Sequence, residues 1–129
     1  MLLIDANAIL RYMLCDNVNM AEQVEELLKR EVVTVKNEVL AEVVYVLIKV
    51  YKLPKTEVYS SILQFLDLEN VYIENKSLIV FAMKSFSQTN LDFVDTLLHA
   101  YSVLEGARVF TFDKKLLSKI ERVTNEQLD

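Results

Sequence analysis

This sequence predicts an α/β fold organised around a parallel sheet, on three observations. Short β-branched or apolar runs alternate with longer segments of helical periodicity: LLI at 2–4, VVTV at 32–35, VYI at 71–73 and RVFTF at 108–112. Two of these runs stop on an aspartate, Asp5 after LLI and Asp113 after RVFTF. In open parallel sheets ligands gather at the carboxyl ends of strands, so the two acids are expected to meet in space from opposite ends of the chain. The length of 129 residues lies in the range of about 100 to 150 that a single core fills, so one domain over 1–129 is expected.

Each element has its own justification. Residues 2–4 form the first strand, and Ile9, Leu10, Met13 and Leu14 give the segment after it an apolar face at helical spacing. A second helix over 20–30 turns Ala21, Val24, Leu27 and Leu28 inward and Glu22, Glu25, Glu26, Lys29 and Arg30 to water. After the strand at 32–35, a helix from Glu38 to Tyr51 with Asn37 as its cap is dense in Val39, Leu40, Val43, Val44, Leu47 and Ile48, and is expected to be mostly buried. Lys52 to Pro54 is the turn into a helix over 55–66, because proline ends one helix and suits the start of the next. The strand at 71–73 leads to a helix over 76–87 and another over 93–105, which stops at the sole glycine, Gly106. Residues 114–120 form a short helix and Arg122 to Thr124 a last edge strand; no internal repeat or low-complexity segment is present.

Composition narrows the class of function. Charges at Asp5 and Arg11 interrupt the N-terminal apolar residues, so neither a signal-peptide core nor the roughly 20-residue span of a membrane helix is expected, and the chain reads as cytoplasmic. A single cysteine, Cys15, leaves no internal disulfide and is expected to be a buried, reduced thiol. The net charge of −5 argues mildly against a broad basic surface for nucleic acid. It leaves a nuclease open, because the acids of a metal site are counted in that total and bound cations would offset them.

The candidate chemistry is carried by carboxylates. Glu38, Glu42, Tyr45 and Lys49 form one stripe on their helix, which is equally a solvent face or the wall of a site. Glu38 and Glu42 are like charges one turn apart, a pairing that costs about 0.2–0.5 kcal/mol in an isolated helix unless a cation relieves it. Asp92, Asp95, His99 and Ser102 make a second such stripe. Asp92 stands where an N-cap would stand and Asp95 three residues on, so both have structural roles open to them. His99, the only histidine, is expected at the surface or half-buried, and one imidazole without thiolates does not make a zinc site. Asp5 and Asp113 abut apolar runs, where a carboxylate risks burial without a partner; Asp113 also has the option of capping the helix that follows. Hard oxygen ligands without histidine or thiolate select Mg²⁺ or Mn²⁺, ions that typically serve phosphoryl chemistry.

LLIDANAILRYML with Asp5 and Asn7, VLAEVVYVL with Glu42, LDFVDTLLHAYS with Asp95 and VFTFDKKL with Asp113 together resemble the PIN domain family, in particular the VapC-type toxin ribonucleases. Order, spacing and flanking residues agree over essentially the whole chain. The resemblance implies a three-layer α/β/α fold with a central parallel sheet, and a Mg²⁺- or Mn²⁺-dependent endoribonuclease site. On the family pattern Asp5, Glu42 and Asp95 hold metal directly or through water, Asp113 completes or orients the cluster, and Asn7 orients a carboxylate or a metal-bound water. Asp92 matches a common but less uniform acidic position, and Glu38 has no clear counterpart. The family also implies a homodimer, an RNA substrate and, for its toxins, a small antitoxin that covers the active-site groove. Arg11, Lys49, Lys52 and Lys55 are candidates for meeting RNA phosphates.

Other readings of the same acids are open. A receiver-type phosphoacceptor domain needs paired acids after the first strand and an aspartate after a central one, whereas here one aspartate follows LLI and Lys36 and Asn37 follow VVTV. A haloacid-dehalogenase-like phosphatase wants a second aspartate where Asn7 stands. A PIN-fold module without catalysis is the remaining alternative, because fold alone does not establish activity.

Overall fold

The computed structural model describes residues 1–120, and their α/β architecture agrees with the expectation. Element order is β1 (Leu2–Leu3), α1 (Ala6–Leu14), α2 (Val18–Arg30), β2 (Val33–Val35), α3 (Asn37–Lys49), α4 (Lys55–Leu66), β3 (Val71–Ile73), α5 (Lys76–Gln88) and α6 (Phe93–Glu105); residues 114–120 are helical as well, labelled α7 here. Two compact units divide the chain, Met1–Glu74 and Asn75–Asp129.

The first unit holds a three-stranded parallel sheet in the order β1-β2-β3. Its register pairs Leu2 with Val33 and Leu3 with Thr34, then Val33 with Val71, Thr34 with Tyr72 and Val35 with Ile73. Every residue of β2 is buried, as expected of a central parallel strand, and its Val-Thr-Val sequence suits that position. Parallel neighbours need long crossovers, supplied here by α1–α2 and α3–α4. Leu40, Val43, Val44 and Leu47 place one side of α3 in the core, and Val58, Ile62, Phe65 and Leu66 do the same for α4.

The second unit is helical among the described residues. Buried side chains on α5 (Leu78, Ile79, Ala82, Met83, Phe86) and α6 (Phe93, Leu97, Ala100) form its core, with the Phe86 and Phe93 rings edge to face and their centroids 6.1 Å apart. Gly106 ends α6 at φ 67°, in the left-handed region where a glycine meets no steric penalty.

Several expectations need correcting. RVFTF is not a strand: residues 106–113 are irregular, and Phe110 and Phe112 are each 88% exposed. Its aromatic and β-branched residues suit a pleated surface, but a strand exists only where a neighbour supplies the hydrogen bonds, and among the described residues none does. The proposed edge strand at Arg122 to Thr124 lies outside the described residues. Asn37 is the first residue of α3 and not its cap; Lys36 occupies that position without a side-chain cap bond. Cys15 is exposed rather than buried, since α1 stops at Leu14 and Cys15 turns left-handed at φ 51° to end it. Among the described residues no helix is long and apolar enough to cross a membrane.

Candidate functional site

In the first unit, β1 delivers Asp5 directly to the start of α1. Its carboxylate accepts a hydrogen bond from the Ala8 backbone N–H at 2.8 Å and caps the helix. Asp5 is exposed, so the burial feared for a carboxylate beside LLI does not arise; the next buried position is Ala6. Asn7 is exposed on the first turn of α1, and Glu38 and Glu42 are exposed along α3. The stripe of Glu38, Glu42, Tyr45 and Lys49 is therefore open to solvent along its whole length, opposite the buried Leu40, Val43, Val44 and Leu47.

Arg11 is already engaged. Its guanidinium donates to Asp16 at 2.8 Å and to the Tyr51 hydroxyl at 3.2 Å, and that hydroxyl in turn donates to the same Asp16 oxygen at 3.3 Å. A guanidinium committed to this triad is no longer a free phosphate ligand, which corrects the expectation for Arg11. Lys49 and Lys52 remain exposed, while Lys55 is half-buried.

The second unit gathers three acids at one end of α6. Asp92 stands at the N-cap position, but its side chain makes no cap bond, so the structural role that competed with chemistry is not taken up. Asp113 is exposed and does cap: it accepts from the Leu116 N–H at 3.0 Å, while its own N–H donates to the Thr111 hydroxyl at 3.0 Å. Asp95, half-buried in the first turn of α6, feels both neighbours. Burial and then the negative charges of Asp113 and Asp92 hold its carboxyl above the usual aspartate range. Helix-turn spacing made the Asp92–Asp95 pairing legible, while the approach of Asp113 was implied only by the family resemblance.

His99, one turn further along α6, is 5% exposed and packs its ring against Phe81 with centroids 5.6 Å apart. Neither ring nitrogen has a hydrogen-bond partner among the described residues. Burial, and next the positive charge of Lys119, push the imidazole below its ordinary pKa. The expected surface or half-buried histidine is thus a buried neutral one. Apolar neighbours on the second stripe hid this, because periodicity reports which face a residue shares and not how deep that face lies.

The acids fit a hard divalent cation by chemistry. They offer oxygen donors only, and none of Asp5, Glu42, Asp92, Asp95 or Asp113 forms an ion pair among the described residues. The raised Asp95 carboxyl marks uncompensated negative charge that a cation would relieve. Among the described residues, however, no three or more His, Cys, Asp or Glu side chains are grouped so that they could hold a metal ion.

The chain belongs to the PIN domain family, whose profile matches residues 2–123. PIN domains are generally nucleases and usually work with divalent metal ions. No curated protein and no solved structure matches the chain.

Proposed function

We propose that this protein is a Mg²⁺- or Mn²⁺-dependent endoribonuclease that hydrolyses RNA phosphodiester bonds, the toxin of a toxin–antitoxin pair. The observation that carries the reading is Asp95: a half-buried carboxylate without a cationic partner, set between Asp92 and Asp113, in a chain of a nuclease family. Such an arrangement is unfavourable for the empty fold and becomes favourable when positive charge is present.

Asp5, Glu42, Asp95 and Asp113 are the proposed ligands, with Asn7 and Asp92 in support. A divalent cation supplies a bound water of lowered pKa and stabilises charge on the phosphoryl oxygens. The chain's own residues do the positioning. Asp5 and Asp113 are each fixed by the backbone N–H they cap, at 2.8 and 3.0 Å, which engages one oxygen of each carboxylate. Asp95 would supply an oxygen donor, and Asn7 offers an amide that would orient a neighbouring oxygen.

The reading takes residues 1–129 as one cytoplasmic PIN domain that acts as a homodimer and is silenced by an antitoxin covering the active site. Its test is cleavage of a structured RNA panel with Mg²⁺ or Mn²⁺, beside EDTA-treated protein and an Asp95→Asn variant. Cutting that vanishes in both controls supports the nuclease; equal behaviour of wild type and variant sinks it. The absence of a preformed coordination shell among the described residues favours one alternative, a PIN-fold interaction module. Calorimetric titration showing no binding of Mg²⁺ or Mn²⁺ would select that alternative.

A further inference from the structure

Arg11, Asp16 and Tyr51 close a ring of three hydrogen bonds. The guanidinium gives one N–H to Asp16 Oδ2 at 2.8 Å and another to the Tyr51 hydroxyl at 3.2 Å, and that hydroxyl donates to the same Asp16 oxygen at 3.3 Å. Three places in the chain meet there: the last turn of α1, the turn between α1 and α2, and the end of α3, to which Tyr51 is held by its backbone N–H on the Val46 carbonyl at 3.2 Å. Stability does not explain the ring. Its ion pair leaves 20% of the Arg11 side chain and 39% of the Asp16 side chain in water, and pairs of that kind add little to a fold. Arg11 Nε is moreover buried without a hydrogen-bond partner among the described residues, which is unfavourable in itself. A directional tie of little net stability is suited to fixing geometry.

The geometry it fixes is the one the acids of the first unit depend on. α1 and α3 leave the carboxyl ends of two neighbouring parallel strands, β1 and β2, so both helices begin at one edge of the sheet and run back towards the other. Asp5 and Asn7 stand at the start of α1 and Glu42 in the first half of α3, whereas the ring joins the far ends. Between those ends α1 packs on α3, and the buried side chains each helix brings are apolar: Ala6, Ile9 and Leu10 on α1, and Leu40, Val43, Val44 and Leu47 on α3. Apolar packing by itself leaves a scatter of about 15–20° in helix crossing angle. Asp5 lies roughly 7 Å along the axis from Ile9 and Leu10, at about 1.5 Å per residue, so a swing of about 15° displaces its carboxylate by about 2 Å. Metal ligation is spoiled by far less, since its distances hold to about 0.2 Å.

We propose that Arg11, Asp16 and Tyr51 are positioning residues, whose ring sets the angle between α1 and α3 and thereby how far Asp5 and Asn7 stand from Glu42. They act through the two helices and touch neither metal nor substrate. The consequence for metal rests on the proposed nuclease site, while the effect on the two helices does not. Loss of any one member opens the ring, so the three act as a unit and the effects of removing them do not add.

Residual dipolar couplings of the backbone N–H groups, recorded on the full chain in EDTA, read the α1–α3 angle directly, and calorimetric titration with Mn²⁺ reads the site. Tyr51→Phe removes a single hydroxyl. It is expected to keep helix content by circular dichroism, to shift the angle by about 10° or more within the scatter that packing allows, and to weaken Mn²⁺ binding about 10-fold, the lower end of what loss of an outer-shell partner gives. Arg11→Met removes two of the three bonds, and adding Tyr51→Phe to it should move neither reading further; if Arg11→Met does not fold, Tyr51→Phe carries the test alone. Variants that unfold more easily in urea yet keep the wild-type angle give the ring a purely structural role and overturn the proposal. So does a shifted angle with wild-type Mn²⁺ affinity, because the separation of Asp5 from Glu42 is then not what the ring controls. A wild type that binds no Mn²⁺, beside variants whose angle still shifts, keeps the tie between the helices and overturns the metal site.

Discussion

Replacing the buried histidine by leucine should make this protein more stable. His99 sits at 5% exposure with both ring nitrogens unpartnered among the described residues. Each buried polar atom left without a hydrogen bond costs about 1–3 kcal/mol. Leucine removes both atoms and keeps an apolar contact with Phe81, against a shape mismatch of up to about 1.5 kcal/mol. The expected gain for His99→Leu at pH 8 is therefore about 0.5–6 kcal/mol, read by urea denaturation followed by circular dichroism. Acidification should widen the gap. The folded imidazole has its pKa depressed by burial and by Lys119, so the unfolded chain takes up a proton first as pH falls below about 6.5. Stability from this group is complete above that value and is lost as pH falls through the depressed folded pKa, at a limiting rate of about 1.4 kcal/mol per pH unit. The variant lacks that loss. A His99→Leu protein less stable than wild type at pH 8, or one whose stability between pH 8 and 5.5 runs parallel to wild type, would refute the reasoning.

Further consequences follow from the acids and the core. Asp95→Asn should abolish cleavage and yet raise the stability of metal-free protein at neutral pH, because a carboxyl whose folded pKa is raised penalises the fold once ionised and is relieved as pH falls through it; a variant that unfolds more easily than wild type in EDTA would contradict this. For the same reason, Mg²⁺ or Mn²⁺ should bind more tightly as pH rises through the Asp95 titration, which calorimetry at several pH values would show as proton release. Asp5→Asn should leave stability within about 0.5 kcal/mol, since asparagine caps as well as aspartate, whereas Asp5→Ala should cost about 0.5–2 kcal/mol; thermal melts of the two variants compare them, and both should lose activity. Ile79→Ala, at a site of no exposure, should cost about 2–5 kcal/mol through the cavity it leaves, measured by urea unfolding.

Much of this was legible in the sequence because period and punctuation are local properties. The strands at β1, β2 and β3, the helix beginning after Pro54 and the stop at Gly106 each follow from a few adjacent residues. What was not legible depends on neighbours distant in the chain. RVFTF has the composition of a strand, but pairing is decided by what lies beside it. His99 and Cys15 exchanged their expected environments because a helical stripe does not reveal its depth and a helix end is set by the turn that leaves it. Arg11 reads as a free cation until Asp16 and Tyr51 close on it from a neighbouring turn and from α3's far end. Among the acids, the spacing of Asp92 and Asp95 announced their proximity and the place of Asp113 before a helix left its capping open; the capping by Asp5 required the backbone to be seen.

The sheet of the first unit runs in chain order, β1 beside β2 and β2 beside β3. On the ribosome this matters, because each strand finds its partner in the segment made just before it. Among the described residues, every pairing in that sheet can be complete once Ile73 has left the exit tunnel. A newly made chain can thus close its central valines against one another progressively, with β2's two edges covered in turn and little time spent as an unpaired hydrophobic strand.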